Sequence, residues 1–147
     1  MTGERDLARL QRDMAPQMHS ETFVYCSFAD GKIPLGMSPI CTFMEAEGTT
    51  VIVEKAQAER CAVAYVFEAR LITLAVHSSL EAVGFLATLA ASLAKANIPC
   101  NVVAAYHHDH LFVPTAKADE ALSLLTALTV CAAIAPTSTG VGGFTNR

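Results

Sequence analysis

Apolar residues recur along this chain at two spacings, and the switches between them mark out its elements. Over residues 4–14, Leu7, Leu10 and Met14 share one side of a helix while Arg5, Asp6, Arg9 and Arg12 take the others, and Pro16 ends it. "TFVYCSF" (22–28) is β-branched and aromatic and runs into the turn-forming "ADGKIPLG", which predicts a strand entering a loop. "PICTF" reads as a short strand. After the turn-like "EAEG", "TTVIVE" (49–54) reads as a full strand, "KAQAER" as one or two helical turns, and "AVAYVFE" (62–68) as another strand.

Residues 71–76 form a further strand that is apolar on both faces, as in the interior of a sheet. Ala82, Leu86, Leu89, Ala90 and Leu93 then repeat at steps of three and four, a long helix stopped by Asn97 and Pro99. "CNVVAAY" and "HLFV" are separated by a few residues around His108 and Asp109, which predicts an antiparallel hairpin. Thr115 is placed to cap a last helix burying Ala118, Ala121, Leu122, Leu125 and Leu128, and a mobile tail is expected from 136 to 147. The second half thus reads βαββα and the first approximately αββαβ, each a split βαβ sandwich short of one strand, with the halves completing one another's sheets. The expected division is an N-terminal helix (1–19), a first unit (20–69), a second unit (70–135) and the tail.

Composition narrows the function. With 147 residues, 52% hydrophobic and 16% charged, the chain can bury a core of one domain or two small units. A net charge of −4 and no cluster of Lys and Arg argue against a nucleic-acid partner. "MTGERDLARLQRD" is not a secretory signal, and the uncharged stretch 121–146 is too rich in Ala, Ser and Thr for a membrane span, so a cytoplasmic setting is expected. Five scattered cysteines without a C-x-x-C fit reduced, buried thiols. No cofactor is implied.

The candidate chemistry gathers at "VHSSLEAVGFL". A loop leaving a strand delivers the chain to a helix N-terminus, whose free N–H groups and positive dipole end attract carboxylates. Gly84, without a Cβ, lets a ligand or a neighbouring backbone approach; Ser78 and Ser79 can cap the helix or donate to a ligand oxygen, and Glu81 can receive an ammonium group. That outlines a site for a zwitterion. The same residues have plain structural uses as caps and packing positions.

Residues 71–114 resemble an ACT domain, the small-molecule regulatory module of amino-acid metabolism: an apolar strand, a short polar loop, Val83 and Gly84 at the Pro-Gly position that opens the helix, then "ANIPCNV" leading to the second strand. The serine-rich loop and "YHHDHLFV" are similar to small bacterial proteins with tandem ACT-like units, related to the regulatory regions of aspartate kinases and to animal cytosolic arginine sensors. "EAEGTTVIV" resembles the remnant of a degenerate first unit. The resemblance implies an α+β fold of ferredoxin-like βαββαβ type with two abutting ACT-like units and a ligand, such as an amino acid, held between them. It also implies a site built from His77, Ser78, Ser79, Leu80, Glu81, Val83 and Gly84, with Asn101 at the position that touches effectors in some aspartate kinases. Val83 departs from the usual proline, and the chain carries no catalytic domain.

The hairpin residues offer other chemistry. His107, His108, Asp109 and His110 are metal-ligand types, with His77 a further candidate, but alternate residues of a hairpin point to opposite faces; the plainer expectation is that Asp109 and a histidine occupy the turn in a left-handed backbone, where His108 or Asp109 can still meet a ligand. Cys100 with His77 or His107 has the types of a nucleophile and base without an oxyanion motif, so no catalytic residue is expected. The competing reading is a structural module in which open strand edges pair between chains as a homodimer.

Overall fold

The structure, a computed structural model, describes residues 2–134. Its elements run α1 (Leu7–Asp13), β1 (Pro16–Phe28), β2 (Cys41–Glu45), β3 (Gly48–Glu54), α2 (Lys55–Arg60), β4 (Val66–Leu74), α3 (Phe85–Lys95), β5 (Asn101–Ala104), β6 (Asp109–Pro114), a 3-10 turn (Thr115–Lys117) and α4 (Ala118–Ile134). The expected tail lies outside the described residues. No helix among the described residues is long and apolar enough to cross a membrane.

One six-stranded sheet, ordered β2-β3-β1-β4-β6-β5 with every pair antiparallel, carries the whole molecule. Two interlocked ferredoxin-like units can be traced through it. In the first, β1, β2, β3 and β4 stand in the spatial order 2-3-1-4 of that fold, with the loop 29–40 in place of its first helix and α2 as its second. In the second, β4, α3, β5, β6 and α4 follow in order, and the missing fourth strand is supplied by the start of β1, where Pro16, Gln17 and Met18 pair with Leu74, Thr73 and Ile72. The two central strands therefore serve both units, which is how each half completes the other's sheet.

Three expectations need correction here. The two strands anticipated at 62–68 and 71–76 are one strand, β4. Residues 61–63 are consumed instead by the end of α2, where Ala62 turns left-handed (φ 52°) and the Ala62 and Val63 N–H groups bond back to Glu59 and Ala58, a Schellman closure. β1 starts at Pro16, not at 22, because residues 16–18 pair with the end of β4, and a proline at the first position of a strand removes no needed donor. Thr115 opens a 3-10 turn and does not cap α4, which begins at Ala118 and runs to Ile134.

The helices sit on one face of the sheet. Leu10, Met14, Ile72, Leu74, Phe85, Leu89, Leu93, Leu111 and Leu125 are sealed between β4, β6 and the helices α1, α3 and α4, while Val24, Cys26, Val51 and Val53 pack beneath α2 against its Ala58. The opposite face holds a smaller cluster of Phe23, Ile52, Ala69, Leu71 and Phe112. There Phe67 takes a left-handed backbone (φ 55°) at a bulge between the pairs Phe23–Ala69 and Tyr25–Val66, which turns its ring edge-on to Tyr25 at 5.7 Å between centroids.

Candidate functional site

β4 ends at Leu74, opposite Asp109 at the start of β6, and the chain then turns through 75–84 before α3 begins. This loop, the β5–β6 turn and the N-terminal segment ahead of α1 meet at one end of the sheet. Asp109 is buried at the first position of β6, and its carboxylate accepts a 2.7 Å hydrogen bond from the Ser78 hydroxyl. It is not in the turn, and the turn needs no left-handed residue: among the described residues, the non-glycine positions with positive φ are Ala15, Ala62, Phe67 and Asn97. His108 donates from Nδ1 to the Val76 carbonyl at 3.1 Å, since a carbonyl can only accept.

Gly84 sits where the backbone demands it. It is the N-cap of α3 with φ 87°, a left-handed conformation that costs an L-residue about 1–2 kcal/mol, and no side chain caps the helix behind it. Outside its own helix and chain neighbours, a Cβ there would meet nothing nearer than the Leu7 side chain at 4.0 Å, so it is the backbone conformation and not crowding that calls for glycine. Ser78 and Ser79 were expected to cap α3 or to face a ligand. Both are instead buried and engaged within the protein, Ser78 on Asp109 and the Ser79 hydroxyl accepting from the Glu81 N–H at 3.2 Å.

The N-terminal segment lies across this loop. The Glu4 N–H donates to the His77 carbonyl and the Ser79 N–H donates to the Glu4 carbonyl, both at 2.9 Å, a one-residue parallel bridge. The Arg5 guanidinium pairs with the Glu81 carboxylate, and Glu4 turns its own carboxylate back onto the Arg5 and Asp6 amides, contacts that hold its pKa below the usual range. Gly3 has φ 131° and passes so close that a Cβ would stand 2.8 Å from the Ser79 nitrogen.

Of the residues expected at the site, the structure brings His77, Ser78, Ser79, Glu81, Gly84, His108 and Asp109 to this end of the molecule. Leu80 and Val83 belong to the same loop and are exposed, at 55% and 86%. Asn101 is not among them: it pairs with Phe112 at the far end of β5 and lines a cavity on the helix-free face with Tyr25 and Cys41. The imidazoles of His77 and His107 pack 5.2 Å apart against Tyr106, yet among the described residues no three His, Cys, Asp or Glu side chains are arranged to hold a metal ion. Cys100 is pushed up to about 11 by burial, which suits a packed thiol and not a nucleophile. Glu4 and Arg5, read in the sequence only as the start of the N-terminal helix, lie ahead of it and reach this loop, and nothing local in the sequence says so.

Several comparisons bear on this arrangement. Models of the ACT domain match residues 2–70 and 66–127 in succession. A Vibrio cholerae protein of unknown function, described as a possible transport protein, is 37% identical, with a TM-score of 0.74 over 84% of this chain and 95% of that one. An Agrobacterium tumefaciens protein aligns with TM-score 0.62 at 15% identity over 78% of this chain and 87% of its own. The aspartate kinase of Clostridium acetobutylicum, an allosteric enzyme, aligns with TM-score 0.59 at 10% identity, over 78% of this chain and 34% of the kinase. No match was found among curated proteins. With two consecutive domain matches and a 37%-identical relative aligned over almost its full length, the chain belongs to the ACT-domain family, as a tandem of two units on one shared sheet.

Proposed function

We propose that this protein is a non-catalytic regulatory module that binds a small zwitterion of the amino-acid class at the loop 77–84, in competition with its own N-terminal segment. ACT domains are in general regulatory ligand-binding modules. The observation that carries the reading is how Glu4 is held: its own N–H rests on the His77 carbonyl and its own C=O on the Ser79 N–H. Those are the two ends that a free amino acid offers as ammonium and carboxylate. A bound amino acid would make the same two contacts with full charges, which strengthens each relative to a neutral amide pair. Glu81, now satisfied by Arg5, becomes the counter-charge for the ammonium or for a cationic side chain. The uncapped mouth of α3 at Gly84 adds a favourable field for the carboxylate.

A thermal-shift screen of the standard amino acids tests this on three proteins. At least one amino acid is expected to raise Tm in the wild type and to raise it further in Gly3→Val, whose side chain cannot lie against Ser79 and so frees the loop. Gly84→Asp, which places a carboxylate at the helix mouth, is expected to abolish the effect. A panel in which no amino acid stabilises either the wild type or Gly3→Val contradicts the proposal. A second reading, pairing between chains, has its own support in the exposure of Phe43 (68%) and Met44 (85%) on the edge strand β2. Sedimentation at tens of micromolar separates the two, since a strict monomer removes the pairing.

A further inference from the structure

The helix-free face of the sheet has a recess of its own. β2 and β5 are opposite edges, five inter-strand spacings apart, a separation of roughly 24 Å in a flat sheet. Yet they line the same two cavities. One, of about 160 Å³, lies between Cys41 on β2 and Val103, His110 and Phe112; the other, of about 260 Å³, adjoins it through the same Cys41 and Val103 and reaches Tyr25 and Asn101. The sheet is therefore curled into a trough with its edges drawn together over an apolar floor.

No Asp, Glu, Lys or Arg lines either cavity. The polar groups present are neutral: burial pushes the Tyr25 phenol up to about 12, so it stays a donor, and burial lowers the pKa of His110 against the opposing pull of Asp109. His110 is further fixed by a relay in which Thr73 Oγ1 sits 3.0 Å from its Nδ1 and 2.9 Å from His19 Nε2. With Nδ1 engaged, Nε2 is the ring atom left for a ligand. An ammonium or carboxylate would enter this space unpaired, at a heavy desolvation cost, whereas a neutral ring would not. An apolar cavity of about 150 Å³ already accommodates a benzene-sized ring, so the two joined spaces suit a bicyclic one.

We infer that the trough between the two edge strands is a second ligand site, separate from the loop 77–84, for a small neutral ring compound that shares a hydrogen bond with His110 Nε2 or with Tyr25. The recess is bounded by β2 and β5 and opens to solvent beside Ile40 and Phe43, 52% and 68% exposed, and its two cavities of about 160 and 260 Å³ are the size of a small molecule.

The test is a titration of indole into protein carrying labelled Ile and Val methyl groups, read at Ile52 and Val103, with benzamidine as a cation of similar size. Saturable shifts are expected with indole, and affinity at least tenfold weaker for benzamidine and in Val103→Trp, whose side chain fills the recess. Val103→Phe serves in its place if the larger residue prevents folding. Absence of saturation with indole, unchanged affinity in a folded Val103 variant, or equal affinity for benzamidine overturns the proposal. So do methyl shifts at the same positions that follow protein concentration alone, which would mean that a second copy covers the trough.

Discussion

Ser78 and Asp109 stand 31 residues apart and meet through a single buried hydrogen bond, so each removes the other's need for water. Deleting one leaves the other buried with its strongest partner gone, a loss of about 1–3 kcal/mol, while deleting both removes the unsatisfied group along with the bond. Urea unfolding of Ser78→Ala, Asp109→Ala and the double variant should show the double well short of the sum of the singles; strict additivity would mean that the pair is not coupled. His110 gives a pH signature. Its pKa is lowered in the folded state by burial, so below about 6.5 the unfolded chain binds the proton more readily than the folded one. Its contribution is complete above the unfolded pKa and declines as pH falls through it. His110→Gln should therefore flatten the fall in stability between pH 7.5 and 5, and unfolding curves of the two proteins that stay parallel across that range would contradict it.

At the scale of elements, what could be read from the sequence was what depends on neighbours in the chain. The periodicity of Leu89 and Leu93 marked α3, the run "TTVIVE" marked β3, and Asn97, left-handed at φ 55°, closes α3 with the N–H of Ile98 on the Leu93 carbonyl. The β5–β6 hairpin is where the spacing placed it. What escaped depends on contacts across the fold. The same Schellman closure ends α2, but Ala62 carries no glycine or asparagine signal, so residues 62–65 read as strand when they are a cap and its exit. That β1 begins at Pro16 is decided by its pairing with Leu74, more than fifty residues away, which no local pattern records. The site divided in the same way. Gly84 is legible because its left-handed backbone favours glycine, whereas the burial of Ser78 and Ser79 under Gly3 and Glu4 is a long-range event, and Asn101, which the resemblance places at the site, is directed by β5 to the trough.

For the whole molecule, the sharing of β1 and β4 is the governing fact. Each is a central strand, each pairs with the other, and Ala69, near the expected boundary between units, is buried in the middle of β4. Neither unit has a complete sheet without the other's strand. Calorimetry should accordingly give one cooperative transition whose calorimetric and van't Hoff enthalpies agree; two resolved transitions would show that the units fold separately. The same coupling gives the loop 77–84 its setting: β4 delivers it, β6 anchors it through Asp109, and residues 3–5 lie over it, so a ligand bound there as proposed would act on strands common to both halves. Amide hydrogen exchange at Glu4 and Ser79, with and without a saturating amino acid, tests this most directly. With ligand bound, Ser79 is expected to stay protected, now by the ligand's carboxylate, while Glu4 loses protection as its segment is displaced. Protection unchanged at both amides, or increased at Glu4, would contradict it.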